Sequence, residues 1–235
     1  MKIADVYNHR NGLDILESPG FRTTYHEFLD VLSGLPPFRA SKVKKTSPEH
    51  VIAPGAMNHW LTDELSIKRD WDWHPLIIDA DPDDPHQPSK LRSDFRKNKI
   101  EVEVQFGNVA RYAYDVYKMA ISMALDHADV GIVAVCTKRF ANITGGNIAY
   151  YERAVRELAR SRLTLIVPLA VVGIEPEKWV IDSYPSEDKA PKTTAKMINE
   201  ARRRRGAEPV PEDEDDEEES SLSLSDLRRI IGRVA

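Results

Sequence analysis

Several features are scarce in this sequence, and each absence closes off a class of protein. Cysteine occurs once, at Cys136, so no disulfide can form within the chain and zinc cages built on several thiolates are excluded. Cys136 itself lies in the apolar run Gly131-Ile-Val-Ala-Val-Cys136, where a thiol behaves as a small buried hydrophobe. No apolar stretch approaches the ~18 residues that span a bilayer, and Met1-Lys2-Ile3-Ala4-Asp5 does not open a secretory signal. A cytoplasmic protein with no membrane partner is therefore expected. The histidines show no HExxH or other paired metal spacing, and Gly145-Gly146 lacks the Lys-Ser/Thr of a P-loop. Trp60, Trp71, Trp73 and Trp179 read as core or lid residues before they read as a base-stacking platform.

Positive charge is lacking as well, with a formal net of −5. Its distribution matters more than its total. Residues 206–235 hold ten acidic and three basic side chains, a net of −7, which leaves residues 1–205 at +2. A phosphate-binding groove needs locally clustered lysine and arginine, not a positive sum. Arg202 to Arg205 is one such cluster, equally readable as a solvated helix end. Two regions follow: a body over 1–205 and an acidic tail over 206–235. The eight consecutive acidic residues Glu212 to Glu219 are disordered by composition. Beyond them Leu222, Leu224, Leu227, Ile230 and Ile231 have the spacing of a short amphipathic helix.

Within the body, hydrophobic periodicity predicts alternating strands and helices. Thr23 to Leu35 carries Tyr25, Phe28, Leu29 and Leu32 at helical spacing, ended by Gly34 and Pro36-Pro37. Ala110 to Ala128 reads as a helix with Tyr112, Val116, Met119, Ala120 and Met123 along one stripe. Gly131 to Thr137 and Leu163 to Ile174 read as strands covered on both faces. Ala149 to Arg162 is an amphipathic helix, and Lys192 to Arg205 a final one. This order implies a mixed central sheet with helices on both faces, an α/β/α sandwich.

The stretch richest in chemistry is Asp94-Phe-Arg-Lys-Asn-Lys-Ile-Glu-Val-Glu103-Val-Gln105. From Ile100 to Phe106 apolar and polar residues alternate strictly, as on a half-buried strand. Val102, Val104 and Phe106 would face a core, with Glu101, Glu103 and Gln105 on the other face. With Arg96 to Lys99 as a polar turn, Leu91 to Phe95 forms the preceding strand and Asp94 returns to Glu103. Two carboxylates at one spot repel unless a cation lies between them. Oxygen donors favour Mg²⁺, which is held by one or two carboxylates together with waters and phosphate oxygens. An ordinary solvated strand remains the alternative reading of this spacing.

These residues also resemble a known family. Asp94, then Glu103-Val-Gln105-Phe followed by Gly107-Asn108, is similar to the active-site hairpin of type II restriction endonucleases of the BglII/BstYI kind. Those enzymes belong to the PD-(D/E)xK nuclease superfamily and are BamHI-like in architecture. The superfamily's usual lysine is a glutamine in this branch, as at Gln105. Further similarity lies in Tyr7-Asn8-His9 with Ile15-Leu16, in Pro54-Gly55-Ala56-Met57-Asn58 leading to Asp63-Glu64-Leu65, in Tyr150-Tyr151-Glu152, and in Val167-Pro168-Leu169 through Val172-Gly173. About residues 1–190 are covered. The resemblance implies a restriction-endonuclease-like sandwich. It also implies Mg²⁺-dependent hydrolysis of double-stranded DNA at a palindrome with a central GATC, leaving 5′-phosphates and four-base 5′ overhangs. Asp94, Glu103 and the Val104 carbonyl would hold the metal, and Gln105 would orient the attacking water. Glu101 would be a solvated or supporting group, about 6–7 Å from Glu103 along the strand. A further polar active-site residue belongs upstream, where Asp79 to Pro88 obscures the alignment.

Base reading needs other side chains. Asn108 matches a family position that contacts bases, and its amide can both donate to and accept from adenine's major-groove edge. The loop expected over Arg139 to Ile148 offers Asn142, Thr144 and Asn147. Tyr184 and Lys189 follow the last strand, where the family places further DNA contacts. A palindrome calls for a two-fold symmetric reader, hence a homodimer. The apolar face of Ala110 to Ala128 is the candidate for part of the dimer interface. A cognate DNA methyltransferase acting on the same site is the implied partner activity. Two other functions stay open: a repair or recombination nuclease of the same superfamily, and a non-catalytic DNA-binding protein.

Overall fold

A computed structural model describes residues 1–42, 50–78, 91–145, 147–161 and 167–210. In chain order they form β1 (Lys2–His9), α1 (Gly12–Leu16), α2 (Arg22–Gly34) and α3 (Pro54–Thr62), the last continuing into a π-helical turn over Asp63–Ile67. Four short strands follow: β2 (Asp72–Trp73), β3 (Leu76–Ile78), β4 (Leu91–Arg92) and β5 (Phe95–Lys97). Then come β6 (Ile100–Gln105), α4 (Arg111–Ala124), β7 (Val130–Cys136), α5 (Lys138–Thr144), α6 (Tyr151–Arg160), β8 (Leu169–Glu175) and α7 (Ala195–Arg204).

The main sheet has the order β1-β8-β7-β6-β5-β2, and β3 pairs with β4 separately. Its centre, β6-β7-β8, is parallel, while β1 and β5 flank it antiparallel. β7 is apolar throughout because both its faces are covered. Ile132, Ala134 and Cys136 point into a core built with α2, α3 and α5, whereas Val133 and Val135 point to a second core against α4 and α6. β8 splits likewise, with Ala170, Val172 and Ile174 on the first face and Leu169 and Val171 on the second. The molecule is thus the expected sandwich of helices about a mixed sheet.

Packing corrects several expectations. The hairpin turn is only Asn98-Lys99, both at positive φ (50° and 56°), the two-residue form whose twist matches paired strands. Arg96 and Lys97 belong to β5. The preceding strand is broken, since β4 ends at Arg92 and Asp94 sits on a bend before Phe95. The stretch 138–144 is a helix and not a loop, capped by the Thr137 hydroxyl, which accepts from the Phe140 amide at 3.3 Å. The last core strand starts at Leu169, and residues 162–166 lie outside the described residues. The apolar stripe of α4 is no free interface either, because Tyr112, Val116 and Met119 are buried in the second core against β7 and β8. Trp71 is buried and Trp60, Trp73 and Trp179 pack against the first core.

Asn199 exchanges hydrogen bonds of 2.8 and 2.7 Å with Val210, and Arg202 Nε donates to the Glu208 carbonyl at 2.6 Å. Ordered contacts with α7 therefore reach Val210. Within the arginine cluster, Arg202 pairs with Asp72, Arg204 with Glu200 and Arg205 with Asp70. The acidic run from Glu212, and the amphipathic segment after it, lie outside the described residues.

Candidate active site

The β5–β6 register pairs Phe95 with Val102 and Arg96 with Glu101, so one further step sets Asp94 opposite Glu103. Asp94 is fixed there because its Oδ2 accepts the Val104 amide at 2.7 Å. The His74 amide donates to the Asp94 carbonyl at 3.0 Å, tying the bend to the segment after β2. On β6 the alternation holds, with Val102 and Val104 in the first core and Glu101, Glu103 and Gln105 on the opposite face.

That opposite face is not solvated. Glu101 is 0% and Glu103 2% exposed, because α4 lies across them. Asp115, Lys118 and Ser122 are the polar residues of α4 that meet the strand, and all three are buried. Lys118 Nζ donates to Glu103 Oε2 at 2.8 Å and lies 3.4 Å from Asp115 Oδ1. Gln105 Nε2 donates to Asp115 Oδ2 at 3.0 Å, and Gln105 Oε1 accepts the Gly107 amide at 2.9 Å. Glu101, expected as a solvated group, instead accepts from Ser122 Oγ and, at 3.1 Å, from Arg96 Nη2. A seam of polar side chains thus runs between β6 and α4. The sequence alone does not single out Asp115, Lys118 and Ser122, because polar residues off the apolar stripe of a helix have the same pattern whether or not they are solvated.

The electrostatics follow from this crowding. Burial, reinforced by Asp94 and Asp115 and opposed by Lys118, pushes the Glu103 carboxyl well above the usual range. Burial raises Asp115 from 3.8 to about 6, with Lys118 opposing and Asp94 adding to the rise. Burial pulls Lys118 down, but Glu103, Asp115 and Asp94 together carry it above its ordinary value. With all groups ionised, three carboxylates face one ammonium, a local charge of −2. Glu103 Oε1 is buried and has no hydrogen-bond partner among the described residues. A divalent cation fits both facts. The described residues contain no group of three or more His, Cys, Asp or Glu side chains arranged as a ready metal cage. One or two carboxylates suffice for Mg²⁺, however, when waters and phosphate oxygens complete its shell.

A family profile described as restriction endonuclease BglII/BglIII matches residues 4–174. The chain belongs to that family. It is a type II restriction endonuclease, a DNA-cleaving hydrolase. Among solved structures, restriction endonuclease BglII complexed with a DNA 16-mer matches at TM-score 0.55 and 23% identity, covering 75% of this chain and 79% of that one. Free BglII matches at TM-score 0.55 and 21% identity, covering 75% and 81%. At such identities the likeness speaks for the fold. No curated protein matches the chain. Restriction endonucleases generally require divalent metal ions, in keeping with the charge of this site.

In this BglII-family chain the expected base readers divide into two groups. Asn108 and Asn147 are exposed and meet, with Asn147 Nδ2 donating to Asn108 Oδ1 at 3.2 Å. They are joined by a bridge between Asn108 and Ile148 at the end of the active-site strand. Asn142, on α5, and Lys189, on a 3₁₀ turn, are exposed as well. Thr144 is not available, since it is buried with its hydroxyl donating to the Phe140 carbonyl at 2.9 Å. Tyr184 is also a core residue, its hydroxyl donating to the Lys178 carbonyl at 2.8 Å. The further upstream residue expected over 79–88 lies outside the described residues. Among the described residues no helix is long and apolar enough to cross a membrane.

Proposed function

We propose that this enzyme acts as a homodimer on double-stranded DNA, hydrolysing it with Mg²⁺ inside a palindrome centred on GATC and leaving 5′-phosphates and four-base 5′ overhangs. The observation that carries the reading is the pairing of half-buried Asp94 with buried Glu103, whose Oε1 lacks a hydrogen-bond partner among the described residues. Asp94, Glu103 and the Val104 carbonyl would hold the metal, which when bound supplies Lewis acidity at the scissile phosphate and lowers the pKa of a water. The Val104 amide keeps Asp94 aimed at Glu103. Gln105, clamped between Asp115 and Gly107, keeps one N–H and one oxygen lone pair free of those two bonds. With them it orients the attacking water, but it adds no positive charge.

Asn108 and Asn147 read base edges, with Asn142 and Lys189 contributing along the DNA. The BglII complex with a DNA 16-mer supports DNA as the partner. The resemblance of the hairpin and its flanks to BglII/BstYI-type enzymes supports the GATC centre. Palindromic sites call for two-fold symmetry, and the dimer would form through a surface other than the buried stripe of α4. In the cytoplasm a cognate methyltransferase would protect the same sites. The deciding experiment is to sequence the cut ends of a mixed-sequence duplex library digested with Mg²⁺. Cuts confined to palindromes sharing GATC are expected. Scattered ends, or cuts chosen by DNA structure, would replace this reading with that of a repair or recombination nuclease.

A further inference from the structure

Glu103 already holds a cation, one that belongs to the chain. Lys118 is 4% exposed, and its ammonium lies 2.8 Å from Glu103 Oε2. It has a second carboxylate within reach on its own helix, since Asp115 stands three residues earlier with Oδ1 3.4 Å from Nζ. Asp115 is well placed to receive it, because its other oxygen is anchored by Gln105. Lys118 Nζ also lies 5.7 Å from the centre of the Tyr114 ring, a further favourable contact for a cation. Two cations side by side on one buried carboxylate repel each other strongly.

We infer that Lys118 is a resident counter-ion of the carboxylate pair, which an incoming divalent metal must displace from Glu103 and which Asp115 then receives. This rests on the assignment of Asp94 and Glu103 as metal ligands. Without metal, Lys118 neutralises part of the repulsion that would otherwise drive Asp94 and Glu103 apart, and so keeps the hairpin closed. With metal, the ammonium moves toward Asp115 and Glu103 turns both oxygens to other work. Metal affinity is then set by a competition, and Lys118 keeps it low until substrate phosphate adds its own oxygens.

The test is Mn²⁺ binding to the full chain without DNA, read by electron paramagnetic resonance and by the shift in melting temperature. Lys118→Met removes the competitor and should tighten Mn²⁺ binding by about tenfold or more. Lys118→Arg keeps the charge and should stay within about threefold of the parent. Glu103→Gln should lose the Mn²⁺ signal. If Glu103→Gln loses Mn²⁺ but Lys118→Met gains less than about threefold, the competition is disproved while the metal assignment stands. If Glu103→Gln binds Mn²⁺ like the parent, the metal assignment itself falls. Lys118→Met leaves Glu103 buried and unpaired, so it is prone to unfold in chelator. In that event refolding gives the answer. Rescue at Mn²⁺ concentrations about tenfold below those that shift the parent's melting temperature supports the inference, and no rescue overturns it.

Discussion

Single side chains should separate cutting, positioning and reading. Asp94→Ala or Glu103→Ala should abolish cleavage while leaving Ca²⁺-supported DNA binding largely intact, because each removes a proposed metal ligand and no proposed base contact. Near-normal cleavage by either variant in a plasmid assay would remove the pair from the mechanism. Gln105→Ala should be slowed without being dead, since the role proposed for Gln105 is to position water. Asn108→Ala should weaken specific binding by ~1–3 kcal/mol and leave non-specific, phosphate-driven binding almost unchanged. Equal losses in both, measured by titrating cognate and random duplexes, would make Asn108 a structural residue. Asp115 has a signature in pH. The folded protein holds its proton more tightly than the unfolded chain does, with a pKa of about 6 against 3.8. Its contribution to stability is therefore fully present below about pH 4 and lost as pH rises through about 6. Glu103, shifted in the same direction, adds to that slope. In chelator, Asp115→Asn should flatten the fall in melting temperature between pH 4 and 7. Parallel curves for variant and parent would contradict the burial argument.

At the scale of elements, α1 leans directly on the sheet. A Cβ on Gly12 would lie 2.3–2.5 Å from the backbone of Leu169 on β8. Neither backbone can yield without moving a whole element, so Gly12→Ala should cost about 3 kcal/mol or more, seen as a lowered denaturation midpoint. An unchanged midpoint would mean that α1 can lift off the sheet freely. Elements also show what sequence could and could not reveal. β7 was legible because every residue of Val130–Cys136 is buried and none of its neighbours asks for polarity. The alternation of β6 was legible too, and it put Asp94, Glu103 and Gln105 in one place. What it could not reveal is that its polar face is roofed. A polar stripe on α4 against a polar stripe on β6 has the same pattern as two solvated faces, and only their contact tells the two apart. β1 has no legible pattern because it lies at the sheet edge and mixes exposed and half-buried residues without a clean period of two. Thr144 and Tyr184 look like readers in sequence, yet their hydroxyls are spent on carbonyls inside the fold.

For the molecule as a whole, charge is divided between a mildly basic body and a strongly acidic tail. Since ordered contacts reach Val210, the informative truncation removes residues 212–235 and leaves the docked segment in place. If the tail competes with DNA for the basic surface, the truncated protein should bind random duplex more tightly at low salt. The advantage should fade as salt screens the charges. Matching salt-dependent affinities for the two proteins would leave the tail as a dispensable solvated extension.

The strand order carries a consequence for how the enzyme comes into being. The β5–β6 hairpin closes over two residues, so Asp94 and Glu103 can meet within microseconds of being made. β1 pairs instead with β8, from Lys2↔Glu175 to His9↔Leu169. At ribosomal speeds of about 5–20 residues per second, β1 waits roughly ten to thirty seconds for its partner. Such long-range closure is slow by its nature. The strand that opens the chain is therefore among the last to find its place, and β8 lacks this partner until late in synthesis. A nascent chain holds both carboxylates well before β8 is there to receive β1 and complete the sheet.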